Sequence, residues 1–201
     1  DGSQRWARLD PGLAMLAQVR SRPLLVLDET AFLFEADQGA GEQLFRAPLG
    51  PGSLVALTEP ARNLLAFALD PTGSFALAYV DPDGSGRFQL HAASLAGAPA
   101  RRLDQPSIPG GGVRTLRTAS DGRFAAYVAD ERTDEQFELW SAALASSAHF
   151  RLSHDLADAV DVGSYELAAA SARIVYSVNE ASGTGLYGVP LDGSAPARPF
   201  L

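Results

Sequence analysis

The sequence of 201 residues predicts an all-β chain built from four-stranded antiparallel blades, and three observations predict it. A six-residue core recurs four times, as "LFRAPL" at 44–49, "LHAASL" at 90–95, "LWSAAL" at 139–144 and "LYGVPL" at 186–191; its first Leu returns after 46, 49 and 47 residues. Upstream of each core an apolar run ends in an aromatic residue, Phe34, Tyr79, Tyr127 and Tyr176, spaced by 45, 48 and 49 residues. Turn residues bracket each pair of landmarks, with 19 Gly and 13 Pro scattered along the chain. A period of this length marks supersecondary units that are too small to cover their own apolar faces and stack to do so. Four-stranded units repeated radially are the blades of a β-propeller, which has roughly 4 to 8 of them.

The elements follow the same order in each unit. A turn comes first, "DET" from 28, "DPTG" from 70, "SDG" from 120 and "ASA" from 170. The run after it is apolar on nearly consecutive positions, the pattern of a strand covered on both faces. The core motif then reads with period two: Phe45, Ala47 and Leu49 share a face, as do His91, Ala93 and Leu95, then Trp140, Ala142 and Leu144, then Tyr187, Val189 and Leu191. The stretch "QFELWSAAL" at 136–144 also fits one stripe of a helix, but Pro48 and Pro190 in its sister copies break a helix and suit a strand end. A second turn ("GPGS", "AGAP", "ASSA", "DGSAP") leads to a short outer strand in "LVALTE", "ARRLDQ", "FRLSHD" and "ARPFL".

The expected blades run approximately over 20–63, 64–112, 113–163 and 164–201. Residues 1–19 read as a terminal strand and lead-in, because "DGSQRWARL" at 1–9 matches "DGSAPARPFL" at 192–201. Both ends then carry a version of one outer strand, so either more blades lie outside this sequence or the spare strand pairs with a neighbouring molecule. Trp6, Arg8, Leu9, Phe200 and Leu201 are the expected interface residues.

These units resemble the TolB-like, WD-repeat-like propeller repeats of bacteria. In "ASDGRFAAYVADERTDEQFELWSAALASS" (119–147), Gly122, Tyr127, Asp130, Glu138, Leu139, Trp140 and Leu144 fill the slots of that pattern. The second unit keeps "DPTG", Tyr79 and Leu95 but carries Gln89 at the acidic slot; the fourth has Ser171 for the turn Gly, and the first has Glu29 to Ala31 in place of the turn. The resemblance spans residues 20–201. It implies a propeller fold and a role as a binding platform, an assembly part or a gating domain of a peptidase, in a bacterial protein of the periplasm or extracellular space.

Charge and composition exclude other classes. A net charge of −8 with dispersed Arg argues against a nucleic-acid partner, whose affinity comes from clustered basic residues. Arg101 and Arg102, the one adjacent basic pair, read as an exposed strand edge. No apolar run approaches the roughly 20 residues of a membrane span. Without cysteine there is no thiolate or disulfide chemistry.

Catalytic and metal signals are sparse. GxSxG, HExxH and GxxxxGK[ST] are absent, and "GGG" at 110–112 reads as a flexible connection. His91 sits in the ring slot of Phe45, Trp140 and Tyr187, while His149 and His154 fall on opposite sides of an outer strand, a poor arrangement for one metal. "DPDGSG" at 81–86 places Asp81, Asp83 and Ser85 at alternate positions, a spacing able to wrap a calcium ion, although ordinary turn chemistry uses the same residues. "DERTDE" at 130–135 occupies the same hairpin one unit later. Trp140 reads as core, whereas Trp6 is free to anchor an intermolecular contact. The expected function is a non-catalytic module, with no cofactor, that binds a protein partner or another copy of itself; the alternative is the propeller of a larger enzyme such as a prolyl-oligopeptidase-like hydrolase.

Overall fold

The computed structural model describes residues 18–19, 24–26, 30–168, 172–181 and 183–200. The described residues form four antiparallel sheets, with no helix among them. The first holds β1 (Gln18–Val19), β2 (Leu24–Leu25), β3 (Ala31–Asp37), β4 (Glu42–Pro48) and β5 (Val55–Ala56). The second runs β6 (Asn63–Leu69), β7 (Phe75–Asp81), β8 (Gln89–Ser94) and β9 (Arg101–Arg102), and the third β10 (Val113–Thr118), β11 (Phe124–Ala129), β12 (Glu138–Ala143) and β13 (His149–Arg151). The fourth comprises β14 (Val162–Leu167), β15 (Arg173–Glu180), β16 (Gly183–Pro190) and β17 (Arg198–Pro199). Strand order within each sheet is chain order, except that β1 and β2 both pair with β3 and share the inner position. Gln18 and Val19, in the expected lead-in, pair with Asp37 and Ala36 on the inner side of the first blade; residues 1–17, which include the expected outer strand at 1–9, lie outside the described set.

Two faces give the stack its direction. Leu33, Leu44 and Leu57 of the first sheet pack on Leu64, Ala76, Ala78 and Val80 of the second. Leu77, Leu90 and Leu103 then pack on Ala125, Tyr127, Trp140 and Ala142 of the third. Leu139 and Leu152 pack on Ile174, Tyr176, Val178 and Val189 of the fourth. A leucine face thus points forward along the chain and a ring face points back. β11 is buried along its whole length because neighbours cover it on both sides.

The aromatic series is out of step in one unit. Phe34 faces Phe45, Tyr127 faces Trp140 and Tyr176 faces Tyr187 across their strand pairs. In the second sheet His91 faces Ala78, and Tyr79 faces Leu90. Tyr79 follows its turn glycine, Gly73, by six residues where Tyr127 follows Gly122 by five, and one extra residue moves a strand side chain to the other face. Tyr79 consequently packs forward beside Leu77 and Leu90, away from the face taken by the other three landmark aromatics, Phe34, Tyr127 and Tyr176.

The interblade connections are held tightly. Leu64 N–H donates to the Glu42 carboxylate (2.6 Å), Val113 N–H to Phe88 O (2.8 Å) and Val162 N–H to Phe137 O (2.9 Å), so the first residues of each following inner strand are tied back to the preceding blade. The "GGG" segment, expected to be flexible, is pinned: Gly112 N–H donates to Asp130 Oδ1 at 2.6 Å, and a Cβ on Gly111 would stand 2.6 Å from the Asp130 carbonyl oxygen. Gly111→Ala is expected to destabilise the protein by about 1–3 kcal/mol through that clash, measured as a lowered midpoint in thermal denaturation.

Candidate functional site

The residues expected to carry chemistry are engaged in holding the fold. The buried Asp81 carboxylate accepts N–H bonds from Gly84, Ser85 and Gly86 (2.9–3.2 Å) and a side-chain amide bond from Asn63 (3.1 Å), so it locks the 81–86 turn. Asp83 Oδ1 accepts from Ser85 N–H at 3.1 Å, and hydrogen bonding to Ser85 holds the Asp83 carboxyl below the usual range. Among the described residues, Asp130, Asp134 and Glu135 one blade on bring one oxygen each within 4.8 Å of one another. Asp130 is committed there to Gly112 and Glu135 N–H groups.

The histidines serve three separate neighbourhoods. Burial lowers the pKa of His91, whose Nε2 lies 3.1 Å from Gln89 Oε1. His149 Nε2 sits 2.7 Å from the Tyr127 hydroxyl and 3.2 Å from Glu131 Oε2, with its ring stacked on Trp140. His154 bridges the Tyr176 hydroxyl (2.8 Å) and Glu180 (3.2 Å) in the next seam. Arg101 lies on the outer edge strand but is half-buried rather than exposed, and it crosses a seam to donate to the Ala143 and Leu144 carbonyls.

All five tyrosines are shifted above the ordinary value of 10.0: burial dominates for Tyr79, Tyr127, Tyr165 and Tyr176, the last pushed up to about 12, and the bond to Glu180 dominates for Tyr187. Because the folded-state values are raised, these groups contribute stability that is intact below the unfolded value and is lost as pH rises through the folded one. Alkaline titration followed by phenolate absorbance is expected to show ionisation delayed past the ordinary value and arriving together with loss of β-sheet circular dichroism.

The site that stands out is the forward face of the fourth sheet. Leu44, Leu90 and Leu139 on the third strands are wholly buried, while their counterpart Leu186 is 36% exposed. The outer strands repeat the contrast. Leu57, Leu103 and Leu152 donate N–H bonds to the carbonyls of Leu44, Leu90 and Leu139, and all three are buried. Phe200 makes the same bond to Leu186 O at 2.8 Å yet is 61% exposed, with its ring lying over Gly188. Of the expected interface residues, Phe200 is therefore on this face; Trp6, Arg8, Leu9 and Leu201 lie outside the described residues.

Leu186 was absent from the expected interface set, although the sequence carried a signal. Each buried outer-strand leucine is followed by a polar residue that caps the third strand: Thr58 accepts from Leu44 N–H, Asp104 from Leu90 N–H and Ser153 from Leu139 N–H. The fourth unit has Phe200 followed by Leu201 at that place.

No protein-family model and no curated protein matches the chain. Among solved structures it is similar to a putative TolB from Agrobacterium tumefaciens (13% identity, TM-score 0.51, covering 96% of this chain and 68% of that one). It is also similar to the TolB of Acinetobacter baumannii at 15% identity and TM-score 0.47, where it spans 41% of that chain's length. A structure from a study of two prolyl endopeptidases (13%, TM-score 0.58) and the tricorn protease (15%, TM-score 0.59) match over 90% and 81% of this chain, which spans 28% and 17% of theirs. At these identities the likeness is one of fold, and the fold is that of a β-propeller, four blades of which this chain supplies.

Proposed function

We propose that the chain is a non-catalytic binding and assembly module whose forward face, centred on Leu186 and Phe200, docks the ring face of another propeller blade. The observation that carries this is the exposure of two side chains whose counterparts are buried in all three seams. Covering what remains exposed, 36% of Leu186 and 61% of Phe200, would contribute roughly 0.5–1 and 1–2 kcal/mol. The partner is a protein, by this reading, presenting small residues and an aromatic ring at the spacing of Tyr176, Tyr187 and Val189; a periplasmic or extracellular setting accords with the TolB likeness. At raised concentration the uncovered face should make the chain self-associate. Light scattering on the wild type is expected to show concentration-dependent mass growth, and a strictly monomeric chain at millimolar concentration would overturn the reading.

The likeness to peptidase propellers favours a second reading, in which these blades are the non-catalytic part of a larger hydrolase. Coding sequence past Leu201 that contains GxSxG followed by Asp and His would establish it, and a stop codon there would eliminate it.

A further inference from the structure

Between the inner strands of the third and fourth sheets lies a cavity of about 590 Å³, within the roughly 300–1,000 Å³ range of small-molecule sites. Leu116, Val128, Phe137 and Val162 make its walls apolar. Two guanidiniums stand at its rim. Arg114 is the residue extruded by a bulge in β10, and its guanidinium carbon lies 3.1 Å from the Phe137 ring centroid. Arg117 crosses the seam to Glu166 Oε1 at 3.0 Å. Glu135 and Asp161 each lie 3.7 Å from Arg114, so three carboxylates already face the two arginines. At the corresponding bulge of β6 the residues are Leu65, Ala66 and Ala68, so this charged rim distinguishes the third–fourth seam from the second–third.

We propose that this cavity binds a monoanionic carboxylate attached to an apolar or aromatic body, supplied either by the C-terminus of an extended peptide or by a free amphipathic acid. The guanidinium fork matches a planar carboxylate in two parallel bonds. The carboxylates at the rim repel a dianion such as a phosphate ester, whereas a single carboxylate takes the place of Glu166 on Arg117. That exchange is cheap, because both partners are more than half exposed and such a pair contributes about 0–1 kcal/mol. Phe137, held flat under Arg114, offers the apolar body an aromatic wall. β10 and β14 are the end strands of their sheets, so a peptide also finds unpaired backbone groups beside the cavity. The proposal is independent of the forward face.

The test is a nuclear magnetic resonance titration of the whole chain with acetyl-dialanyl-phenylalanine, its C-terminal amide, and 3-phenylpropionate. The free-acid peptide is expected to shift the resonances of Phe137, Val162 and Ser164, and the amide is not. Arg117→Ala should weaken binding at least about tenfold. Glu166→Gln, at a side chain 75% exposed and thus tolerant of change, should tighten it by up to about fivefold by releasing Arg117. Tighter binding of the peptide than of 3-phenylpropionate assigns the site to chain ends, and the reverse order assigns it to free acids. Equal affinity for acid and amide, no shift at millimolar acid, or unchanged affinity in Glu166→Gln overturns the proposal.

Discussion

Trp140→Ala is expected to destabilise the protein by about 3–5 kcal/mol, read from chemical denaturation followed by circular dichroism. Three losses combine at that position. The indole is buried in the seam between the second and third sheets, among Leu90, Leu103 and Tyr127, and its deletion leaves a cavity that rigid sheets cannot close. Its Nε1–H donates to Ala129 O at 3.2 Å, a buried bond that the substitution removes. It also forms the stacking surface for His149, 5.0 Å between ring centroids, which keeps the imidazole beside Tyr127 and Glu131. In a stack where each blade touches only its neighbours, weakening one seam should uncouple the two halves. The denaturation curve of Trp140→Ala is therefore expected to be broader than that of the wild type, as well as shifted.

The paired substitution Leu186→Glu and Phe200→Glu is expected to abolish self-association in light scattering while changing stability by no more than about 0.5 kcal/mol, as for ordinary surface changes. Leu139→Glu, the same change at the same slot one blade earlier, should unfold the protein, because it places a carboxylate in a closed seam among buried apolar side chains. The contrast depends only on which face is covered. If both variants lost their fold, the fourth sheet's forward face would have to be part of the interior.

Much of this architecture was legible in the amino-acid pattern. The ring–small–Leu alternation at 140, 142 and 144 placed Trp140 in the core, and its burial follows from the period of a strand. The landmark aromatics recur after 45, 48 and 49 residues, and such spacing does not reveal that one residue added within the unit turns Tyr79 to the other face. The glycines at 110–112 looked like slack because their constraint, the close approach of Asp130, comes from a residue of the next hairpin. Asp81 and Asp83 matched a ligand spacing, but spacing says nothing of the N–H groups that a folded turn directs at a carboxylate. The open face escaped notice for a related reason: Leu186 is identical in type to Leu44, Leu90 and Leu139, and only the absence of a following blade among the described residues leaves it uncovered.

The claim that this face docks a blade is tested most directly by giving it one. A second copy of residues 152–201 appended after Leu201 supplies a ring face of the kind that already seats against Leu139 and Leu152. The chain has no cysteine, so Leu186→Cys introduces a single reporter thiol in both the original and the extended protein. Docking predicts that this thiol reacts freely in the 201-residue chain and at least about tenfold more slowly in the extended one, with a higher unfolding midpoint in the latter. Equal labelling rates and an unchanged midpoint would contradict it.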